Sequence, residues 1–241
     1  MKTTSASSDC VTVVEVVNAE CGIATSYAGW LLAELGAQVV QISTSTSPDS
    51  SDQSPETMAC EVLASGKQTQ PCPSSADEWM ALLADSDIVL LGASTALADF
   101  GLTLPAVQAS LPKLVIGVAS IFGVESPYAN APATGLDAQA LSGAAWALGD
   151  EQRQPLSLPP GIVEHQAGVM LAAGALMALQ VRDERGNGRV VDIALSDVLA
   201  SYGGGNCRIY IRHGLRWHRS GRRASGSGGA YPFVILPCKD G

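Results

Sequence analysis

A chain of 241 residues, 46% of them apolar, is long enough to bury a core as one large or two small domains. Its net charge of −9 is divided, with −13 on residues 1–150 and +4 on residues 151–241, and an acidic majority that repels a phosphate backbone argues against nucleic-acid binding. The longest uncharged apolar stretch, Ala167 to Leu179, is 13 residues and too short to span a bilayer.

The opening M-K-T-T-S-A-S-S-D-C lacks the apolar core of a signal sequence. Cys10, Cys21, Cys60, Cys72, Cys207 and Cys238 form no C-x-x-C pair and no His cluster at ligand spacing. They read as reduced thiols of a cytoplasmic protein, and no metal site is expected.

Val11 to Val17 is a β-branched strand pattern. Cys21 to Gly36 has helical spacing, with Ala24, Ala28, Leu31, Leu32 and Leu35 on one side and Gly36 at the C-cap. Val39 to Ile42 is a second strand, and the Ser-, Thr- and Pro-rich run Ser43 to Pro55 reads as an exposed loop. Ala76 to Leu83 is a short helix, Ile88 to Leu91 a strand, Leu104 to Leu111 a helix and Leu114 to Ala119 a strand. Such alternation predicts an α/β fold, a doubly wound, mostly parallel sheet with helices on both faces.

The second half is more helical, with predicted helices at Gly135 to Leu148, Gly168 to Arg185 and Asp192 to Tyr202. Gly186 and Gly188 stop the middle one, and Val190 to Leu195 read as a buried strand that overlaps the start of the last helix. Six arginines lie between Arg208 and Arg223 with Tyr210, His213, Trp217 and His218 among them, which suits a solvated linker or a contact with an acidic partner. Ser225-Gly226-Ser227-Gly228-Gly229 is a flexible run.

Glu164 is the candidate for chemistry. It stands just before the uncharged helix pattern, near the positive end of the helix dipole and beside apolar walls, where an anion can be held away from water. A Glu so placed is also an ordinary favourable first-turn charge.

Four segments, in order, carry a resemblance. They are V-V-E-V-V-N-A-E-C-G-I-A-T-S-Y-A-G-W-L-L-A-E-L-G-A-Q-V-V-Q-I from Val13, the run from Leu114 containing F-G-V-E-S-P-Y and G-L-D-A-Q-A-L-S-G, the run G-I-V-E-H-Q-A-G to R-D-E-R-G-N-G-R-V-V-D from Gly161, and P-C-K-D-G at the end. Together they resemble the class III coenzyme A transferases, which include formyl-CoA transferase, carnitine CoA-transferase and the α-methylacyl-CoA racemases.

The resemblance implies a Rossmann-like large domain over residues 1–205, a basic and Gly-rich linker over 206–230, and the first strand of an incomplete small domain over 231–241. It implies CoA transfer between an acyl-CoA and a carboxylic acid, with a coenzyme A thioester as substrate and no permanently bound cofactor. Glu164, four residues before Gly168, takes the position of the family's nucleophilic aspartate, one methylene longer. Coenzyme contacts fall at Val16, Gln41, Lys67, Gly228 and Gly229. Among the cation positions that the family uses for the coenzyme phosphates, Lys67 alone remains a cation, and Gln41 stands where relatives carry a base.

The His that marks the racemase branch is replaced by Leu136 before Asp137, which argues against racemization. His165 is expected to be structural. The thinned phosphate contacts also fit a non-catalytic partner subunit or a degenerate copy. A homodimer, or a heteromer with a related chain, is expected, with no nucleic-acid or membrane partner.

Overall fold

The computed structural model describes residues 10–17, 22–43, 61–93, 97–216, 219 and 238–239. In chain order they form β1 (Thr12–Val17), α1 (Gly22–Glu34), β2 (Gln38–Ser43), β3 (Gln68–Gln70), α2 (Ala76–Ala84), β4 (Ile88–Leu91), a 3-10 turn (Ala98–Phe100), α3 (Leu104–Ser110) and β5 (Val115–Ser120). Next come α4 (Gly135–Leu141), α5 (Ala144–Ala147), α6 (Ile162–Arg185), β6 (Val190–Ala194), α7 (Leu195–Tyr202) and α8 (Gly204–His213).

Period-2 alternation of apolar side chains builds the layers. Val13, Ile88, Leu90 and Val115 point to one face of the sheet, where Ala24, Ala28 and Leu32 of α1 and Ala167, Leu171 and Ala175 of α6 cover them. Val14, Val16, Val89, Leu91, Ile116 and Val118 point to the other, against Trp79 and Leu83 of α2 and Val107 of α3. Both faces being dry, the central strands are apolar runs. The six strands are all parallel, in the order β3-β2-β1-β4-β5-β6, which is that of a doubly wound sheet. The expected fold class is therefore observed, with every strand parallel.

Several boundaries differ from expectation. α6 begins at Ile162, six residues before Gly168, because Gly161 takes a left-handed backbone (φ 83°) and turns the chain into the helix there. Gly168 lies inside α6 rather than at its start. A Cβ at that position would come within 2.7 Å of the Ala24 carbonyl oxygen and 3.0 Å of Tyr27 Cβ, so the glycine lets α6 and α1 approach closely. The expected helix Gly135 to Leu148 is two helices, broken where Gly143 turns left-handed at φ 79°. β6 pairs with β5 through Ala194, which delays the last predicted helix to Leu195.

The start of the expected linker is also helical. α8 runs to His213, with Arg212 and His213 in its last turn near the negative dipole end and Gly214 (φ 66°) as its cap. The loop Ser43 to Pro55 lies outside the described residues beyond Ser43, as does the strand expected over 231–241 apart from Cys238 and Lys239.

Among the described residues α6 is the one helix long and apolar enough to cross a membrane. Here it packs its buried stripe (Val163, Ala167, Leu171, Ala175, Ala178) into the protein core. Its far end is fixed to the amino-terminal edge of the sheet. Arg182 donates to Asp87 Oδ1 at 2.8 Å, and Asp87 Oδ2 accepts from Thr12 N at 2.8 Å and Thr12 Oγ1 at 2.9 Å. The first turn of α6 therefore opens at the carboxyl ends of the strands, the edge where open α/β sheets place their ligands.

Candidate active site

At that edge the first turns of α1, α4 and α6 and the segment 157–161 enclose a cleft of about 470 Å³. Ile23, Leu136, Leu158 and Pro160 supply apolar wall, while Thr134, Gln139, Ser157, Glu164 and His165 supply polar groups. Glu164 is half-buried in the first turn of α6, at the positive end of the helix dipole. Its carboxylate lies against Gly135, the first residue of α4, so closely that a Cβ there would overlap Glu164 Oε1.

His165 faces the same cleft but is held back. Its backbone N–H donates to the Gly161 carbonyl at 2.9 Å, and its Nδ1 lies 2.6 Å from the same oxygen. A carbonyl only accepts, so Nδ1 carries the proton. The ring also packs edge-on against Tyr27 at 4.7 Å, and Tyr27 stacks on Trp30 at 5.7 Å. Asp137 turns back to its own helix cap, accepting from Thr134 N and Oγ1 at 2.8 Å each, and the Thr134 N–H holds its carboxyl below the usual value.

The five expected coenzyme contacts divide. Gly228 and Gly229 lie outside the described residues. Val16 is fully buried with its side chain in the α2–α3 layer, where it contributes to the core. Gln41 and Lys67 meet, but around a carboxylate that sequence reading passed over, Glu15 of β1. Lys67 Nζ lies 2.6 Å from Glu15 Oε2 and 2.8 Å from the Ser26 carbonyl, and neither charged side chain is exposed. Gln41 Nε2 and Ser26 Oγ donate to Glu15 Oε1 at 3.0 and 3.1 Å. Burial pushes the Glu15 carboxyl above its ordinary 4.5, against the pull of Lys67 and the two hydrogen bonds. In this structure the Lys67 ammonium points inward and is held by Glu15 and the Ser26 carbonyl.

Gln139 shapes a cleft wall, and Arg219 braces the segment 146–153. Gln139 is buried, and its Oε1 accepts from Leu158 N at 2.7 Å, fastening the 157–161 wall to α4. Arg219 is also buried. Its guanidinium donates to the carbonyls of Trp146, Asp150 and Arg153 at 3.0–3.2 Å and lies 4.4 Å over the Trp146 ring. Gln139 sat in plain view inside G-L-D-A-Q-A-L-S-G. Nothing in the basic run distinguishes Arg219 from its five neighbours.

The sequence model of CoA-transferase family III matches residues 11–241. The chain belongs to CoA-transferase family III. Curated relatives are similar to this family III chain over part of their length. The formyl-CoA:oxalate CoA-transferases of Escherichia coli O139:H28 and Shigella boydii serotype 18 are each 28% identical over 177 residues, covering 66% of this chain and 42% of theirs. Among solved structures, a CAIB/BAIF family protein from Brucella suis superposes with a TM-score of 0.81 at 22% identity, over 96% of this chain and 63% of that one. Rv3272 from Mycobacterium tuberculosis gives 0.70 at 22% identity, over 83% of this chain and 57% of that one. The chain thus spans less than half the length of these curated relatives, and the structural likeness establishes the α/β fold.

Proposed function

We propose that this family III chain transfers coenzyme A between an acyl-CoA and a carboxylic acid, with Glu164 as the group that carries the coenzyme. One observation supports the reading: Glu164, which the resemblance matches to the family's nucleophile, is a carboxylate in the first turn of a buried helix and lines a partly apolar cleft. A carboxylate is a weak nucleophile unless it is oriented and partly desolvated, and this position supplies both.

The steps balance without any proton transfer. A Glu164 oxygen attacks the thioester carbonyl carbon, the C–S bond breaks, and coenzyme A leaves as thiolate with the bonding pair. The thiolate then attacks the glutamyl carbonyl of the mixed anhydride and expels the donor acid as carboxylate, leaving a glutamyl-CoA thioester. The acceptor carboxylate repeats the sequence in reverse, and Glu164 returns as the free anion. Helix dipoles and a dry wall serve the developing charges. His165, bound to Gly161 and packed on Tyr27, positions the turn and moves no proton.

Coenzyme A binds as a substrate rather than as a resident cofactor in this reading. The chain works as a homodimer or beside a related chain in the cytoplasm. The exposed apolar residues Val169, Met170 and Met177 on the outer side of α6 support such an assembly. A second reading, a non-catalytic partner subunit, is favoured by the burial of Lys67 against Glu15, which removes a cation from phosphate binding. An exchange assay separates the two. Formyl-CoA or another short acyl-CoA is supplied with a labelled acid such as oxalate, and label entering the thioester pool supports transfer. Transfer that survives Glu164→Gln would assign this carboxylate a structural role.

A further inference from the structure

We infer that Gly135 is a positioning residue for Glu164, its missing side chain forming the seat of the carboxylate. The chemical consequence rests on the function proposed above, whereas the seat itself does not.

Gly135 opens α4 directly after Thr134 and does not have a left-handed backbone, so nothing in its conformation requires glycine. Alanine is the better helix former there. The space that a Cβ would occupy is already taken. Its three nearest neighbours would all belong to the Glu164 carboxylate: an overlap with Oε1, then Cδ at 3.3 Å and Oε2 at 3.7 Å. The acid reaches this point from α6, whose first turn is fixed by the close approach of Gly168 to α1. An aspartate at 164 would stop one methylene short. In this chain the Glu164 carboxylate therefore fills a seat that only a residue without a side chain leaves open.

The carboxylate is the free end of a flexible side chain, so Gly135→Ala displaces it without disturbing the core. Its melting temperature is expected to equal or exceed that of the unchanged chain. The test follows Glu164 Cδ by carbon NMR in protein labelled at glutamate, with the signal assigned by its absence in Glu164→Gln. A crystal structure of Gly135→Ala accompanies it. The signal and the carboxylate position are expected to move. Trapping of an acyl-CoA adduct with hydroxylamine is expected to fall about 100-fold for a displacement of roughly 1 Å. Adding Glu164→Asp to Gly135→Ala relieves the overlap and is expected to recover trapping. An unmoved carboxylate in folded Gly135→Ala overturns the seat, whatever the activity. A displaced carboxylate in a protein whose unchanged form traps no adduct leaves the seat standing and removes the transferase reading instead.

Discussion

The Lys67 ammonium and the Glu15 carboxylate meet at 2.6 Å with neither side chain exposed, joining the segment before β3 to the centre of β1 beneath α1. Removing one member leaves a buried charge without its partner, which costs far more than the net worth of the pair. Glu15→Ala or Lys67→Met is therefore expected to lower stability by about 3–5 kcal/mol. The double variant is expected to lose less than the sum of the two. Urea unfolding of all four proteins gives the coupling, and additive losses would show that the two side chains act independently.

Asp87 gives the fold an acid limit. Burial opposes its charge, but the Thr12 N–H and the Arg182 guanidinium outweigh that and hold its carboxyl below the ordinary 3.8. A lowered carboxyl stabilises the folded state above the unfolded value, and the contribution disappears as pH falls through the folded value. The stability difference between the unchanged chain and Asp87→Asn should be largest near neutrality and shrink below about pH 4. Thermal melts across pH 2.5–7 test the sign. A difference that stays constant over that range would remove Asp87 from the acid limb.

Legibility in the sequence followed the range of the interactions involved. β1, β4 and β5 are runs of β-branched and aliphatic residues bounded by polar turns, and local pattern suffices for them. β3 is Gln-Thr-Gln on the sheet edge, wholly exposed and ordered through its pairing with β2, so no local pattern marks it. The start of α6 is not marked locally, because Gly168 has the look of a boundary residue while its glycine answers the contact with α1. The Glu15–Lys67 pair spans 52 residues and depends on two registers, Glu15 beside Gln41 and Gln41 beside Thr69. Spacing alone does not reveal such a pairing. The pattern that singles out Glu164, an acid four residues before Gly168, is by contrast local.

That close packing has its own consequence. Gly168→Ala places a methyl group against the Ala24 carbonyl and Tyr27, so α6 and α1 must separate. Overpacking of this kind costs about 1–3 kcal/mol. The cleft changes with it, because Ile23 of α1 and Glu164 of α6 both line it. Denaturant midpoints are expected to fall. An unchanged midpoint would show that the interface yields without cost.

The role of Glu164 is tested most directly by peptide mass spectrometry after incubation with a panel of short acyl-CoA thioesters and a hydroxylamine quench. A hydroxamate is expected on the Glu164 side chain, dependent on the acyl-CoA and absent from Glu164→Gln. Failure to find any modification at Glu164 with the panel, or equal trapping in Glu164→Gln, would contradict this carboxylate as the carrier of coenzyme A.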